Sequence, residues 1–435
     1  MTTTFLAILL AATVAPAAQP RAVPVEGEPF AAALTAIDAR GQLHFQAGGK
    51  ERLLPLTDLV IWGQCAEAIR GPIIVLADGG LLAADVLGAD KETLSADSDP
   101  LGTLKLPLET LSGVIFRWPG DRLQRDLLLG RVARAGGQTD RLVLDNGDEL
   151  PGLVEAIHDD KVQLKAQGGP LEIETRRVVA IVFNPALKQK PVSSGVRTWV
   201  GLGDGSRLLA TRLLSSPLPS PLAGEGSGVR GSNLLPSPAT GEGAGVKGSS
   251  PLPSPLVGEG SGVRGATLEL TAAGQAWKTE QKAVVFLQPL GGRADYLSDR
   301  KPTEYRHVPF LDLAWPYAAD RCVTGGLLRS GGALCLKGLG VHSAARLSYT
   351  LERPYRRFAA DIGIDDSTDG RGSVVFRVLV DGVVKYASGP ISGGDAPQSV
   401  SIDLTGAKRL DLVVDFGPRG DELDRADWLG ARLVR

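Results

Sequence analysis

One methionine, three cysteines and four histidines are spread through 435 residues, and aromatic side chains make up only 5% of the chain. An odd cysteine count leaves one thiol over in any pairing scheme, so this is not a small disulfide-built scaffold. Histidines at 44, 158, 307 and 342, with no C-x-x-C pair, carry no zinc-finger signature. Net charge is also missing. Against 47 Lys and Arg stand 49 Asp and Glu, a formal −2, which removes the electrostatic case for a nucleic-acid partner. No apolar run approaches the ~20 residues a transmembrane helix needs.

What the chain does have is 55 glycines and 29 prolines. Between them lie short runs of alternating apolar and polar residues, the pattern of half-buried strands broken by turns. The fold class expected is all-β: repeated small barrel-like or sandwich-like units, followed by a C-terminal jelly-roll β-sandwich.

Residues 1–18 read as a secretory signal. Phe5 to Val14 form a short apolar core, and Ala15-Pro16-Ala17 supplies the small-x-small pattern before cleavage, although the leading segment lacks Lys and Arg. The expected location is secreted, periplasmic or cell-surface, with cleavage near Ala17.

From about residue 26 the chain repeats itself. The endings L-H-F-Q-A-G-G-K-E-R-L-L-P-L-T-D-L-V-I-W (43–62), L-G-T-L-K-L-P-L-E-T-L-S-G-V-I-F (101–116) and V-Q-L-K-A-Q-G-G-P-L-E-I-E-T-R-R-V-V-A-I-V-F (162–183) align. Upstream, hairpin signals recur around Asp78-Gly79 and Asn146-Gly147. Units one and two fill 26–120 and units three and four fill 140–290, packed in series. The intervening stretch 121–139 is a short helical linker with Leu123, Leu127, Leu128 and Val132 on one face. Unit four is interrupted by three tandem 17-residue copies, 215–265, rich in Pro, Gly and Ser. Such a composition cannot bury enough apolar surface to offset ordering entropy, so a disordered insertion at a hairpin tip is expected.

The C-terminal part, 291–435, carries the densest markers. They are G-L-G-V-H-S (338–343), G-I-D-D-S-T-D-G-R-G (363–372), G-G-D-A-P (393–397) and A-D-W (426–428). Apolar alternation such as Val374/Phe376/Val378/Val380 separates them, and Asp381-Gly382 signals a tight hairpin. Cys322 and Cys335 flank a glycine-rich turn, where they are either a disulfide or two buried thiols, while Cys65 stands alone.

In these motifs and their order, residues 295–435 resemble the NPCBM family of carbohydrate-binding modules. The resemblance implies a calcium-tolerant β-sandwich that binds sugars and is joined to other domains. Relatives usually carry histidine where this chain has Arg425, which implies altered sugar binding. The candidate sugar-binding residues are His342, Arg425, Asp427 and Trp428. Trp428 would be either a flat platform for a sugar or a core anchor. Asp365, Asp366 and Asp369 cluster at one turn and would suit calcium, a hard cation, or would simply cap the strand. The partner expected is a glycan, galactose-containing or acidic.

No nucleophile–base set or facing pair of acids stands out, and adjacent acids on one strand point to opposite sides. The expectation is therefore a non-enzymatic protein, a repeat scaffold carrying a sugar-binding head. The alternatives are a structural or protein-interaction role with a degenerate sugar site and, further off, a carbohydrate-active enzyme.

Overall fold

The computed structural model describes residues 19–189, 194–216, 266–310 and 312–435. Residues 1–18, where a secretory signal is expected, and nearly all of the tandem copies lie outside the described residues. Strands dominate throughout, with one α-helix among the described residues.

Each N-terminal unit follows one plan of a first strand, a long bent second strand, a two-strand meander, a one-turn 3-10 helix and a closing strand. In unit one the closing strand Leu59–Gly63 follows the turn Leu56–Asp58; in unit two Leu111–Ile115 follows Leu108–Thr110. Val178–Val182 and Val284–Leu290 close units three and four. Each closing strand returns to the first strand of its own unit, with Trp62 opposite Ala22, Ile115 opposite Ile73, Ile181 opposite Leu142 and Leu287 opposite Val200. A unit of this size cannot bury its apolar face alone.

The units are not stacked in series, which corrects the sequence reading. Unit two pairs with unit three through Val114 opposite Ile181, and unit four pairs with unit one through Leu287 opposite Trp62. In both couples the fourth residue of one closing strand faces the fourth residue of the other. Each couple is thus locally two-fold, the arrangement two copies of one edge adopt when their patterns are self-complementary. All four units share one core, in which Phe45, Leu82, Leu142 and Leu208 are fully buried.

The helix Arg122–Ala133 begins at Asp121, whose carboxylate accepts the Gln124 amide at 2.8 Å and so caps one of the unpaired N–H groups of the first turn. Its buried residues are Asp126, Leu129, Gly130 and Val132, while Leu127 is exposed. The apolar face expected over Leu123, Leu127, Leu128 and Val132 is therefore rotated. Leu123 and Leu127 instead approach Gly326 and Gly325 of the C-terminal domain.

Ser215 and Ser216, the first residues of the first tandem copy, belong to the strand Arg207–Ser216, and Ser216 sits directly opposite Thr267. The Ser215 hydroxyl accepts from the Ile37 amide and donates to Gln281, both at 2.9 Å. Replacing residues 217–266 by Asn-Gly should close this ladder as a two-residue hairpin, because the strand ends are already in register. An unchanged or raised melting temperature is the expected result; a cooperative loss of folding would show the segment to be structural.

The C-terminal domain is a sandwich of two antiparallel sheets. One has the order Ala318–Ala319, Gly338–His342, Arg425–Val434, Arg357–Ile364, Gln398–Asp403, with Ala294–Tyr296 also on Arg425–Val434. The other has Glu304–His307, Ala345–Thr350, Arg409–Phe416, Ser373–Val380, Val383–Ala387, with Ile391–Ser392 on Ser373–Val380. The period-two residues fill the space between them: Phe358, Ala360, Ile362 and Ile364 from one sheet, and Val374, Phe376, Val378 and Val380 from the other, are buried. Asp381 and Gly382 both have positive φ, 49° and 82°, as the tight hairpin requires. Cys65, Cys322 and Cys335 are free thiols.

The sandwich is joined to the repeats by a buried charge cluster. Arg329 donates to both carboxylate oxygens of Asp126 (2.6 and 3.1 Å) and to both of Glu67 (2.9 and 2.8 Å). The Leu327 amide also reaches Asp126 at 2.8 Å. A small apolar patch, Val25, Val60, Ala294 and Val434, seals the other side of the junction.

Candidate functional site

The motif residues converge at one end of the sandwich, because strands Gly338–His342 and Arg425–Val434 run side by side with His342 opposite Arg425. The alternation of a strand then sends neighbours to opposite faces. Trp428 goes inward. It is fully buried, edge-on to Phe376 at 4.9 Å and to Phe358 at 6.1 Å. No face of Trp428 reaches a sugar, so of the two roles expected it has the core one.

Asp427 points the other way, yet it too is fully buried, and among the described residues neither carboxylate oxygen has a hydrogen-bond donor. It does not serve as a surface acceptor for sugar hydroxyls. Burial, reinforced by the negative charge of Asp365 beside it, pushes its carboxyl well above the usual range.

The acidic turn is also different from the expected calcium loop. Asp365 accepts the amides of Arg329 and Ser367, both at 3.0 Å, and Asp366 accepts those of Gly331 and Gly332 at 3.0 and 2.9 Å. Asp369 closes the turn in the left-handed conformation, with φ of 50°. Asp365 and Asp366 therefore direct their carboxylates at different backbone amides. The turn is a capping device that ties the ribbon Leu328–Ser330/Ala333–Cys335 to the sheet, and these residues do not fit calcium as a set.

His342 is buried beneath a loop the sequence reading passed over. Trp315 stacks on its imidazole, ring centroids 5.1 Å apart and 7° from parallel, and His307 meets it edge-on at 6.1 Å. Its Nδ1 lies 3.5 Å from an Asp421 oxygen. Burial lowers the His342 pKa, and the Asp421 carboxylate only partly opposes this. The loop is pinned at Trp315, whose amide donates to His307 Nδ1 at 3.2 Å and whose carbonyl accepts the Tyr305 hydroxyl at 2.5 Å. Around this anchor Phe310 and Leu313 are 66% and 65% exposed. The signal in the sequence was there: an apolar stretch, V-P-F-L-D-L-A-W-P, that follows neither strand nor helix periodicity.

Arg425 extends from beside His342 to the acidic turn, donating to the Ser367 carbonyl at 2.9 Å and hydroxyl at 3.0 Å. There it lines a cleft of about 440 Å³ between the two parts of the chain. Gly120, Asp121, Arg122 and Leu123 at the helix start form one wall; Thr324, Asp366, Ser367 and Asp369 form the other. Nothing local in the sequence places the helix start against these residues.

Residues 293–434 match the NPCBM/NEW2 domain. An endo-alpha-N-acetylgalactosaminidase, as it is named, of Renibacterium salmoninarum is 37% identical over 110 residues, and the alpha-1,3-galactosidase B of Akkermansia muciniphila is 33% identical over 114. Each alignment covers 25% of this chain, but the chain spans only 7% and 14% of the length of these two relatives. Among solved structures, the CBM51 of a Clostridium perfringens GH95 protein in complex with methyl-galactose is 23% identical. It covers 32% of this chain and 99% of that one, with a TM-score of 0.30. The CBM51-2 and INT domains of Clostridium perfringens ZmpB, in complex with GlcNAc, are also 23% identical, covering 39% and 36% at a TM-score of 0.30. The motifs read from the sequence, the two-sheet sandwich they build and this match agree: residues 293–434 of this chain are an NPCBM/NEW2 domain.

Proposed function

We propose that this chain is a non-catalytic glycan-binding protein whose sugar site is the end of the sandwich around His342, Arg425 and Trp315. The observation that carries the reading is the stacked Trp315–His342 pair next to Arg425, with Phe310 and Leu313 exposed in the loop that carries Trp315. An aromatic and apolar surface suits the C–H face of a sugar, and a few fixed polar groups orient it. The two curated relatives bear names of enzymes that act on galactose-type linkages, which favours a galacto-configured ligand. Arg425, always charged, favours an acidic one such as a uronic acid or sulfated galactoside. Export through residues 1–18 is part of the same proposal, and the repeats serve as its mount.

The test is a glycan array followed by calorimetry on the intact chain. Trp315→Ala should weaken binding by roughly tenfold or more, given the apolar area lost. Arg425→His should shift preference from acidic to neutral galactosides. If the folded wild-type chain retains no glycan, the head is structural and the interaction-protein reading replaces this one. Turnover of an aryl galactoside by the purified chain would overturn its non-catalytic part.

A further inference from the structure

Behind the acidic turn, Cys322 Sγ, an Asp365 oxygen and an Asp427 oxygen lie within 4.8 Å of one another, and all three residues are buried. Three independent segments bring them together. Asp427 comes from the strand Arg425–Val434. Asp365 follows the neighbouring strand, its amide bonded to the Arg425 carbonyl at 2.9 Å. Cys322 sits in a turn held by its own amide to Gly326 and by the Gly325 amide to its carbonyl, at 2.9 and 2.8 Å. That turn crosses directly over Gly340. A Cβ there would lie 2.8 Å from the Cys322 carbonyl carbon, so only glycine lets the loop approach this closely.

A second observation points to a missing occupant. Asp427 is fully buried, and among the described residues neither of its oxygens has a donor, although one of them lies within 4.8 Å of both other groups. Buried polar atoms in native proteins are nearly always satisfied, so either a proton shared with Asp365 or a cation stands between the two carboxyls. The Asp365 oxygens already accept backbone amides, which hold that carboxyl group in place.

We propose that Cys322, Asp365 and Asp427 form a binding site for a divalent cation of borderline softness, zinc-like in its ligand preference. A thiolate with two carboxylates suits zinc or cobalt, whereas calcium and magnesium take oxygen ligands alone. The Thr324 hydroxyl donates to Cys322 Sγ at 3.6 Å and would support the thiolate as an outer partner. Asp365 also lines the interdomain cleft. The cation would tie the Cys322 loop to both strands beneath Arg425, beside the proposed sugar face.

The experiment uses the intact chain, stripped with a chelator and titrated with cobalt(II), zinc(II) and calcium(II) separately. Cobalt should give a thiolate-to-metal charge-transfer band, and cobalt and zinc should each raise the melting temperature until saturation. Cys322→Ser, nearly isosteric, should abolish the band while the chain remains folded. Asp427→Asn should weaken cobalt binding by more than about tenfold; if that variant fails to fold, Cys322→Ser carries the test. The proposal is overturned if neither cobalt nor zinc shifts the melting temperature, which leaves a proton shared by the two carboxyls as the occupant. It is equally overturned if calcium alone binds, or if the cobalt band survives Cys322→Ser and so belongs to Cys65 or Cys335.

Discussion

Asp126→Ala is expected to destabilise the junction between the repeats and the sandwich by about 3–5 kcal/mol, the range for breaking one side of a buried ion pair. Asp126 and Arg329 are 5% and 8% exposed at their side chains, and Glu67 is 21% exposed. Removing Asp126 leaves the guanidinium buried with one remaining carboxylate partner, Glu67, and frees the Leu327 amide as well. Burial opposes the charge on Arg329, yet its hydrogen bonds to Glu67 and Asp126 prevail and hold its pKa above the ordinary value. The lost energy should appear as a split thermal transition, because each half retains its own apolar core. The double variant Asp126→Leu with Arg329→Met should recover part of the loss, since it removes the buried guanidinium together with Asp126 and leaves only the more exposed Glu67 without that partner. A single transition at the wild-type temperature in Asp126→Ala would show that the apolar patch around Val60 and Val434 alone joins the two parts.

Trp428→Ala is expected to cost about 3–5 kcal/mol and to unfold the sandwich at ordinary temperatures, as a large-to-small change in a close-packed core does. The ring fills the space between the sheets against Phe358 and Phe376, and no smaller neighbour can collapse into it. Trp428→Phe should lose much less, because it keeps most of the volume and removes an indole N–H that has no partner. Circular dichroism and calorimetry on the two variants check this. If Trp428→Ala remains folded with its stability unchanged while glycan binding disappears, Trp428 is after all part of the sugar site. Trp315→Ala, by contrast, removes a half-buried loop residue and should leave the sandwich folded.

Much of the local structure was legible in the order of residues. Val374 to Val380 alternate and fill the core, Asp381-Gly382 turns where it was expected to, and the four motifs of the sandwich stand on adjoining strands and turns. The repeat endings share a plan because each has the same 3-10 turn before its closing strand. The helix face differs from the expected one because Leu123 turns toward Gly326 of the C-terminal domain while Leu127 stays exposed. Counting apolar spacings cannot tell a residue packed on its own core from one packed on another domain.

The functional residues divide along the same line. His342, Arg425, Asp427 and Trp428 could be picked out by their motifs, but whether each reaches solvent depends on strand direction and on what lies over it. Asp427 and Trp428 are neighbours in sequence on opposite faces of one sheet, and a loop from far upstream buries the first as completely as the core buries the second. The Asp365–Asp369 turn was recognisable as acidic, and only the tertiary structure showed its carboxylates spent on the amides of Arg329, Gly331 and Gly332. Trp315, the cleft against the helix start and the Cys322–Asp365–Asp427 cluster depend on contacts between segments far apart in the chain. Sequence periodicity determines which face of a strand is apolar; it carries no information about which distant loop comes to cover the polar face. For this protein the chain alone determined an all-β repeat array and the presence of an NPCBM-type sandwich. The pairing of unit one with unit four, the burial of Trp428 and the position of the proposed binding surface were decided by long-range packing, where self-complementary strand edges and one buried arginine set the arrangement.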